Sequence, residues 1–384
     1  MLDWLQRIVN GVAAELSLEK IVIGVTASVL VYLIVKFLRR LYRYVVLVIW
    51  PNGKAQARID AALAAVAADS PGVWLSNRPA KPKDGYAQRL SRSGVRIITV
   101  ANLKGGVGKT TVAANLAAHY AIANPNERVM LIDLDFQGSL SATMLEPGRR
   151  RPKLPADFSK ASQLIGDKNR TTIDGCAERV HLPLNPAAHL DGVPAFYDLA
   201  RTENRILVEW LLGCYDTDMR YWLAEILLAS SYDKIIIDAP PRLLSGCVQA
   251  LCASHFVLVP TILDQVCVEA VDAFLGQLYD HREIWPIMKV AGVIPTITSA
   301  NFDRIAERDA LAELRDVIAK SALRTQLLPQ AAFVRDNKLL SEAAGQRIAY
   351  ASERADQAHR DLRANFAALA DAIERSIRGD RFDE

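Results

Sequence analysis

Cysteine is scarce in this 384-residue chain, and what there is lacks pattern. Cys176, Cys214, Cys247, Cys252 and Cys267 form neither a C-x-x-C pair nor a histidine-paired spacing. That indicates neither a disulfide framework nor a metal centre, and it fits a reducing compartment. A surplus of one charge is also missing: 46 lysines and arginines stand against 43 aspartates and glutamates, and the net charge of +3 is too small to imply a nucleic-acid partner by itself. No internal repeat or low-complexity tract interrupts the chain. What is present is the composition of a folded protein, 51% hydrophobic and 23% charged, at a length that exceeds what one core usually fills. One large domain with appendages, or two domains, is expected.

The N-terminus departs from a soluble pattern. Ile21 to Leu38, "IVIGVTASVLVYLIVKFL", is 18 residues broken by a single charge, Lys36, which can snorkel to an interface. The segment is a candidate transmembrane helix. Only Arg7 and Lys20 lie upstream, whereas Lys36, Arg39, Arg40, Arg43, Lys54 and Arg58 follow, and such a cation excess marks the cytoplasmic side of a bacterial inner membrane. Lys36, Arg39, Arg40 and Arg43 fall on one helical stripe suited to anionic lipid headgroups, and Tyr42, Tyr44 and Trp50 sit where an aromatic belt belongs, so a basic interfacial extension reaches residue 50. Two alternatives stay open: a buried helix of a soluble domain and a cleaved signal peptide. Residues 51–94 read as a short helix and a linker, because Pro51, Asn52 and Gly53 break the first helix and "SPGVWLSNRPAKPKDG" is rich in breakers.

From residue 95 the chain carries chemistry. "VRIITV", Val95 to Val100, is a short β-branched strand, and "ANLKGGVGKTTVAANLAAHYA" turns from a glycine loop into a helix beginning near Thr110. Strand, glycine loop and helix in this order make a phosphate cradle. Glycines 105, 106 and 108 let backbone N–H groups point at phosphate oxygens beside the helix N-terminus. Gly105, Gly106, Val107, Gly108, Lys109, Thr110 and Thr111 are the candidate nucleotide-binding set, with Lys109 reaching the β- and γ-phosphates and the Thr110 hydroxyl available to Mg²⁺. The strict G-x-x-x-x-G-K-T pattern fails at Leu103, and Lys104 with two glycines follows instead.

This K-G-G-x-G-K-T variant resembles the deviant Walker A motif of the ParA/MinD family of ATPases, closer to the ParA/Soj type. The resemblance implies that Lys109 serves its own phosphates while Lys104 crosses a homodimer interface to the partner's nucleotide. "RVMLIDLDFQG", Arg128 to Gly138, is similar to the family's D-x-D-x-Q-G element, which makes Asp135 the residue that positions the attacking water and Asp133 a contributor to the Mg²⁺ site. "YDKIIIDAPP" resembles the Walker B strand, with Asp238 holding Mg²⁺ through water, followed by a D-x-P-P switch that senses the γ-phosphate. "AFVRDNKLLSEAAGQ", Ala332 to Gln346, resembles a late family segment. The likeness covers roughly residues 95 to 350, and residues 95–384 form the expected ATPase domain.

The expected fold is therefore α/β: a doubly wound, mostly parallel sheet of the P-loop class, plus the N-terminal transmembrane helix. The expected function is a membrane-anchored ATPase that uses ATP and Mg²⁺, dimerises with ATP, turns over slowly, and recruits, positions or regulates a protein partner. Non-specific DNA is a partner that the resemblance offers through a basic C-terminal region, Arg315, Lys320, Arg324, Arg335, Lys338 and Arg347, but a membrane tether opposes diffusion between DNA and cytosol. Three other readings remain. A bacterial tyrosine kinase lacks its C-terminal tyrosine cluster here, since no tyrosine follows Tyr350. A nitrogenase-type reductase lacks its cluster cysteines, and a nucleotide-binding scaffold of a defence or secretion complex would not need the aspartates. Residues 146–230 remain the least informative stretch.

Overall fold

The computed structural model describes residues 80–145, 159–166, 172–212, 217–299 and 304–382, with residues 3, 6–7, 32–38 and 74–75 besides. The chain divides into two compact units, Met1–Ala61 and Ala62–Glu384. In the second unit the elements run α1 (Tyr86–Arg92), β1 (Arg96–Val100), α2 (Lys109–Ala123), β2 (Arg128–Asp133), α3 (Ser139–Met144), α4 (Lys160–Gly166), α5 (Ile173–Cys176), β3 (Glu178–Arg179), β4 (His189–Val193) and α6 (Asp198–Leu212). They continue with α7 (Trp222–Leu228), β5 (Lys234–Asp238), α8 (Ser245–Ala253), β6 (Phe256–Ile262), α9 (Gln265–Asp280), β7 (Lys289–Thr298), α10 (Ile305–Lys320), β8 (Val334–Arg335), α11 (Lys338–Ala343) and α12 (Gln357–Arg378).

Eight strands form one sheet in the order β3-β4-β2-β5-β1-β6-β7-β8. Every pairing is parallel except the short β3 against β4 at one edge. The central strands are apolar on both faces because helices cover both. In β5, Ile235 and Ile237 join the core on one side and Ile236 the core on the other. β2 divides likewise, Met130 and Ile132 against Val129 and Leu131, as a period of two requires. The register aligns Val100, Asp238 and Asp133 across β1, β5 and β2, so two carboxylates leave the sheet side by side.

α2 is sheathed between sheet and α12, which explains its alanines: Ala113, Ala114, Ala117, Ala118 and Ala121 are all buried. α12 is amphipathic in the ordinary sense, Leu362, Phe366, Leu369 and Ile373 lying on its core stripe, with Asp356 capping its start through the His359 amide at 3.0 Å.

Two sequence expectations meet the structure near the N-terminus. Residues 80–94, read as linker, are packed into the domain: Tyr86 and Leu90, four apart on α1, enter the core, the Tyr86 hydroxyl donates to the Cys252 carbonyl, and Lys83 and Arg89 pair with Glu225. Trp74 is buried too, 5.7 Å from the Trp210 ring. The short helix expected after residue 53 lies outside the described residues. Of the expected membrane segment 21–38, residues 32–38 are helical and exposed, and the rest lies outside the described residues. Among the described residues no helix is long and apolar enough to cross a membrane.

Candidate functional site

The site forms where β1, β2 and β5 end together. β1 passes into the loop 101–108, whose turn requires left-handed backbone at Gly106 and Gly108, both at φ 78°, a conformation that glycine adopts without strain. Gly105 is exposed, and a Cβ there would meet nothing within 4 Å, so the mouth of the loop is open for a close-approaching oxygen. The loop is pinned from three sides. Asn102 Nδ2 donates to the Pro260 carbonyl at 2.7 Å, Thr296 Oγ1 donates to the Val107 carbonyl at 2.9 Å, and Lys109 Nζ folds back to the Lys104 carbonyl at 2.8 Å.

The two lysines have opposite fates. Lys109 is buried, and its ammonium pKa is lowered by desolvation against the raising influence of Asp238 and Asp135. Lys104 is half-exposed, and its ammonium has no hydrogen-bond or ion-pair partner among the described residues.

Beneath the loop Thr110 Oγ1 donates to Asp238 Oδ2 at 2.7 Å. The other oxygen, Asp238 Oδ1, is buried with no partner. Burial, with the charge of neighbouring Asp133, pushes the Asp238 pKa well above the carboxylate range, and the Thr110 bond and Lys109 only partly oppose this. An orphaned, unfavourably placed carboxylate oxygen next to a threonine hydroxyl is a donor set for a hard cation. Magnesium needs no all-protein cage, since it retains waters and shares substrate phosphate oxygens, so the residues fit it. Among the described residues no group of three or more His, Cys, Asp or Glu side chains forms such a cage.

Asp133, expected to contribute to the metal site, is also engaged by the chain itself. It is wholly buried, and both its oxygens are taken by the chain: Oδ1 by the Asp135 amide at 2.9 Å, Oδ2 by the Ser141 amide at 2.8 Å and the Ser141 hydroxyl at 2.7 Å. Burial raises its pKa to about 7 despite those bonds. Three hydrogen bonds tie it into the turn, so it holds Asp135 from behind. Asp135 is half-buried beside the loop mouth and accepts the Gln137 amide at 2.9 Å; the turn closes through Gly138 at φ 66°, where a Cβ would come 2.8 Å from the Ala195 carbonyl.

Several residues of the site carried no sequence signal of their own. Asn102, Thr296 and Ser141 look ordinary until their partners are known. A cavity of about 130 Å³ opens beside the loop between Gly108, Thr111, Thr296, Ile297, Asp336 and Asn337, which joins the late segment 332–346 to the site. The six cations grouped from sequence are divided. Arg335 lines this cavity, and Arg347 lines one with Thr110, whereas Arg315 and Arg324 line a 690 Å³ cavity with Phe256 and Lys289, the first residues of β6 and β7, at the other end of the sheet.

Comparison with known proteins gives this geometry a context. Residues 95–284 match a family model described as an AAA domain, AAA_31. The chain is similar to the chromosome-partitioning ATPase Soj of Thermus thermophilus, 32% identical over 209 residues that span 54% of this chain and 72% of that protein. It is similar to the chromosome partitioning protein ParA of Caulobacter vibrioides, 32% identical over 227 residues, 58% and 75% of the two chains. Among solved structures, cobyrinic acid a,c-diamide synthase from Mycobacterium smegmatis with bound ADP and magnesium superposes with a TM-score of 0.53 at 27% identity, covering 75% of this chain and 97% of that one. The structure of pnob8 ParA superposes with a TM-score of 0.58, covering 75% and 100%; at 21% identity it speaks to fold alone.

Proposed function

Because the chain belongs to the ParA family of P-loop ATPases, we propose that it is a nucleotide switch: ATP bridges two copies, hydrolysis separates them, and a protein partner reads the assembly state. The observation that carries this reading is the division of labour between the lysines, Lys109 folded into its own loop and Lys104 left without a partner at the half-exposed rim. A buried cation inside the loop suits a phosphate in the same subunit. An unpaired one at the rim suits a phosphate outside it.

In this reading the backbone N–H groups of residues 105–111 receive the phosphates of ATP, and Lys109 exchanges the Lys104 carbonyl for a phosphate oxygen. The purine base occupies the cavity beside Gly108 and Ile297, with Asp336 and Asn337 as its polar contacts. Thr110 and Asp238 would hold magnesium, which when bound neutralises charge on the phosphate oxygens. Asp135 orients the attacking water, and Asp133 keeps Asp135 in place. Positioning and charge stabilisation are most of what phosphoryl transfer asks of a protein.

The partner is a protein in preference to DNA, because the cations at 315, 324, 335 and 347 face different ends of the sheet and form no single basic track. Anchoring through residues 21–38 in a bacterial inner membrane, with the ATPase domain cytoplasmic, belongs to the same proposal and rests on the cation asymmetry of the sequence.

The test is the solution mass of the full chain carrying Asp135→Ala, in mild detergent, by light scattering with Mg-ATP and with Mg-ADP. A dimer with ATP alone is expected. A monomer in both overturns the switch and leaves a nucleotide-binding scaffold. For the anchor, the full chain should stay with membranes through a carbonate wash and lose them on deletion of residues 1–50; release by salt alone would refute a spanning helix.

A further inference from the structure

The segment between β2 and β5, opaque in sequence, sends one carboxylate to the switch. α6 buries Leu199, Thr202, Glu203, Ile206 and Trp210 along one stripe, so Glu203 occupies a core position among apolar residues. A carboxyl group withdrawn from water is costly unless something specific receives it. The receiver is the start of α8, the helix that directly follows Asp238 and the two prolines.

A helix presents unsatisfied N–H groups at its amino end, and α8 has Leu244 at the capping position, a side chain with no acceptor. Glu203 Oε1 supplies the acceptor from another helix, taking the Gly246 amide at 2.9 Å. The fit is close, since a Cβ on Gly246 would lie 3.3 Å from that oxygen and 3.5 Å from the Leu134 carbonyl. Leu134 in turn donates its amide to the Asp238 carbonyl at 3.1 Å and immediately precedes Asp135. The ends of β2 and β5 thus meet the start of α8 at Gly246, which Glu203 holds; burial raises the Glu203 pKa, the Gly246 amide opposes this, and nearby Asp135 raises it further.

We propose that Glu203 is a positioning residue for the ATPase reaction, holding the amino end of α8 and thereby fixing the segment 238–246 against Asp135. This rests on the switch reading above and makes α6 a lever on that switch.

The test uses the full chain with Glu203→Leu, which removes the acceptor, and Glu203→Gln, which keeps one. Hydrogen exchange at residues 246–248 should quicken by roughly tenfold or more in Glu203→Leu and stay near wild type in Glu203→Gln. Turnover of ATP should fall by roughly tenfold in Glu203→Leu with KM changed less than about twofold, and return with Glu203→Gln. Unchanged exchange at 246–248, or faster exchange throughout the domain with kcat intact, would overturn the proposal and leave a merely structural contact. If the wild type turns over no ATP, the switch reading fails by itself. Exchange still decides the contact: a Mg-ATP-induced change at 239–248 that survives Glu203→Leu refutes it. Glu203→Ala replaces the leucine variant should that one fail to fold.

Discussion

Asp218 and Asp238 are both carboxylates withdrawn from water, and the chain treats them in opposite ways. Asp218 has every need met: the Arg220 guanidinium at 2.6 Å, its own Arg220 amide at 3.1 Å and the Lys81 amide at 3.1 Å, with side chains of the pair only 1% and 3% exposed. Burial works to lower the Arg220 pKa, but Asp218 outweighs it and the guanidinium is held more basic than usual. Asp238 has one threonine hydroxyl, one orphaned oxygen and a second aspartate as its neighbour in the register. A buried carboxylate with both oxygens engaged serves structure. One with an oxygen left over beside an open glycine loop can serve a cation, and the contrast separates function from architecture without reference to motif.

The comparison is broken most severely by removing charge from the loop. Lys109→Ala should weaken ATP binding by at least about a hundredfold, read by fluorescent-nucleotide titration, and unchanged affinity would sink the site. Removing Arg220 strands a buried charge, so Arg220→Leu should cost about 3–5 kcal/mol in urea denaturation, whereas a loss below about 1 kcal/mol would mean that Asp218 finds other partners. Asp135→Ala should bind ATP normally and hydrolyse it about a hundredfold more slowly; normal turnover would exclude it as the water-positioning group.

Smaller effects sharpen the contrast. Without nucleotide, Asp218→Asn should destabilise the protein and Asp238→Asn should not, because only the first disturbs a completed pair. For pH the sign follows from Asp133 and Glu203, whose carboxyls burial pushes up to about 7, above their unfolded values near 4. The folded state then binds protons more tightly, and stability should decline as pH rises from 5 to 8, by about 2–3 kcal/mol for each carboxyl that titrates. Equal stability at pH 5 and pH 8 in urea denaturation would mean that these carboxyls do not titrate on folding.

The loop, the strands β1, β2 and β5 and the parallel sheet were legible because their signal is local: a β-branched run, a turn that only glycine can make, then a helix. Lys104 and Lys109 could be told apart only through the resemblance to the ParA/MinD motif, because spacing by itself does not assign them different phosphates. Asp133 stands out in the D-x-D pattern, but only coordinates reveal that its oxygens also accept from Ser141 and the Asp135 amide. Glu203 and the Asp218–Arg220 pair were invisible for a further reason. Their meaning lies in partners distant along the chain, Gly246 and Trp210 for one and the other, and "RTENRILVEWLL" hints at it only through a glutamate on a core stripe. The packed start of the domain escaped for the same cause: breakers around residues 79–85 announce a loop, and nothing local says that Tyr86 reaches Cys252.

That clasp has a mechanical corollary. α1 is held at the carboxyl end of α8 and by His255, whose Nε2 lies 2.7 Å from the Leu90 carbonyl, at the end of the sheet where β1 begins. The glycine loop sits where β1 ends. A pull on the chain upstream of Trp74 is therefore borne by Trp74 against Trp210 and by α1 on its seat on α8, a strand's length from the glycine loop.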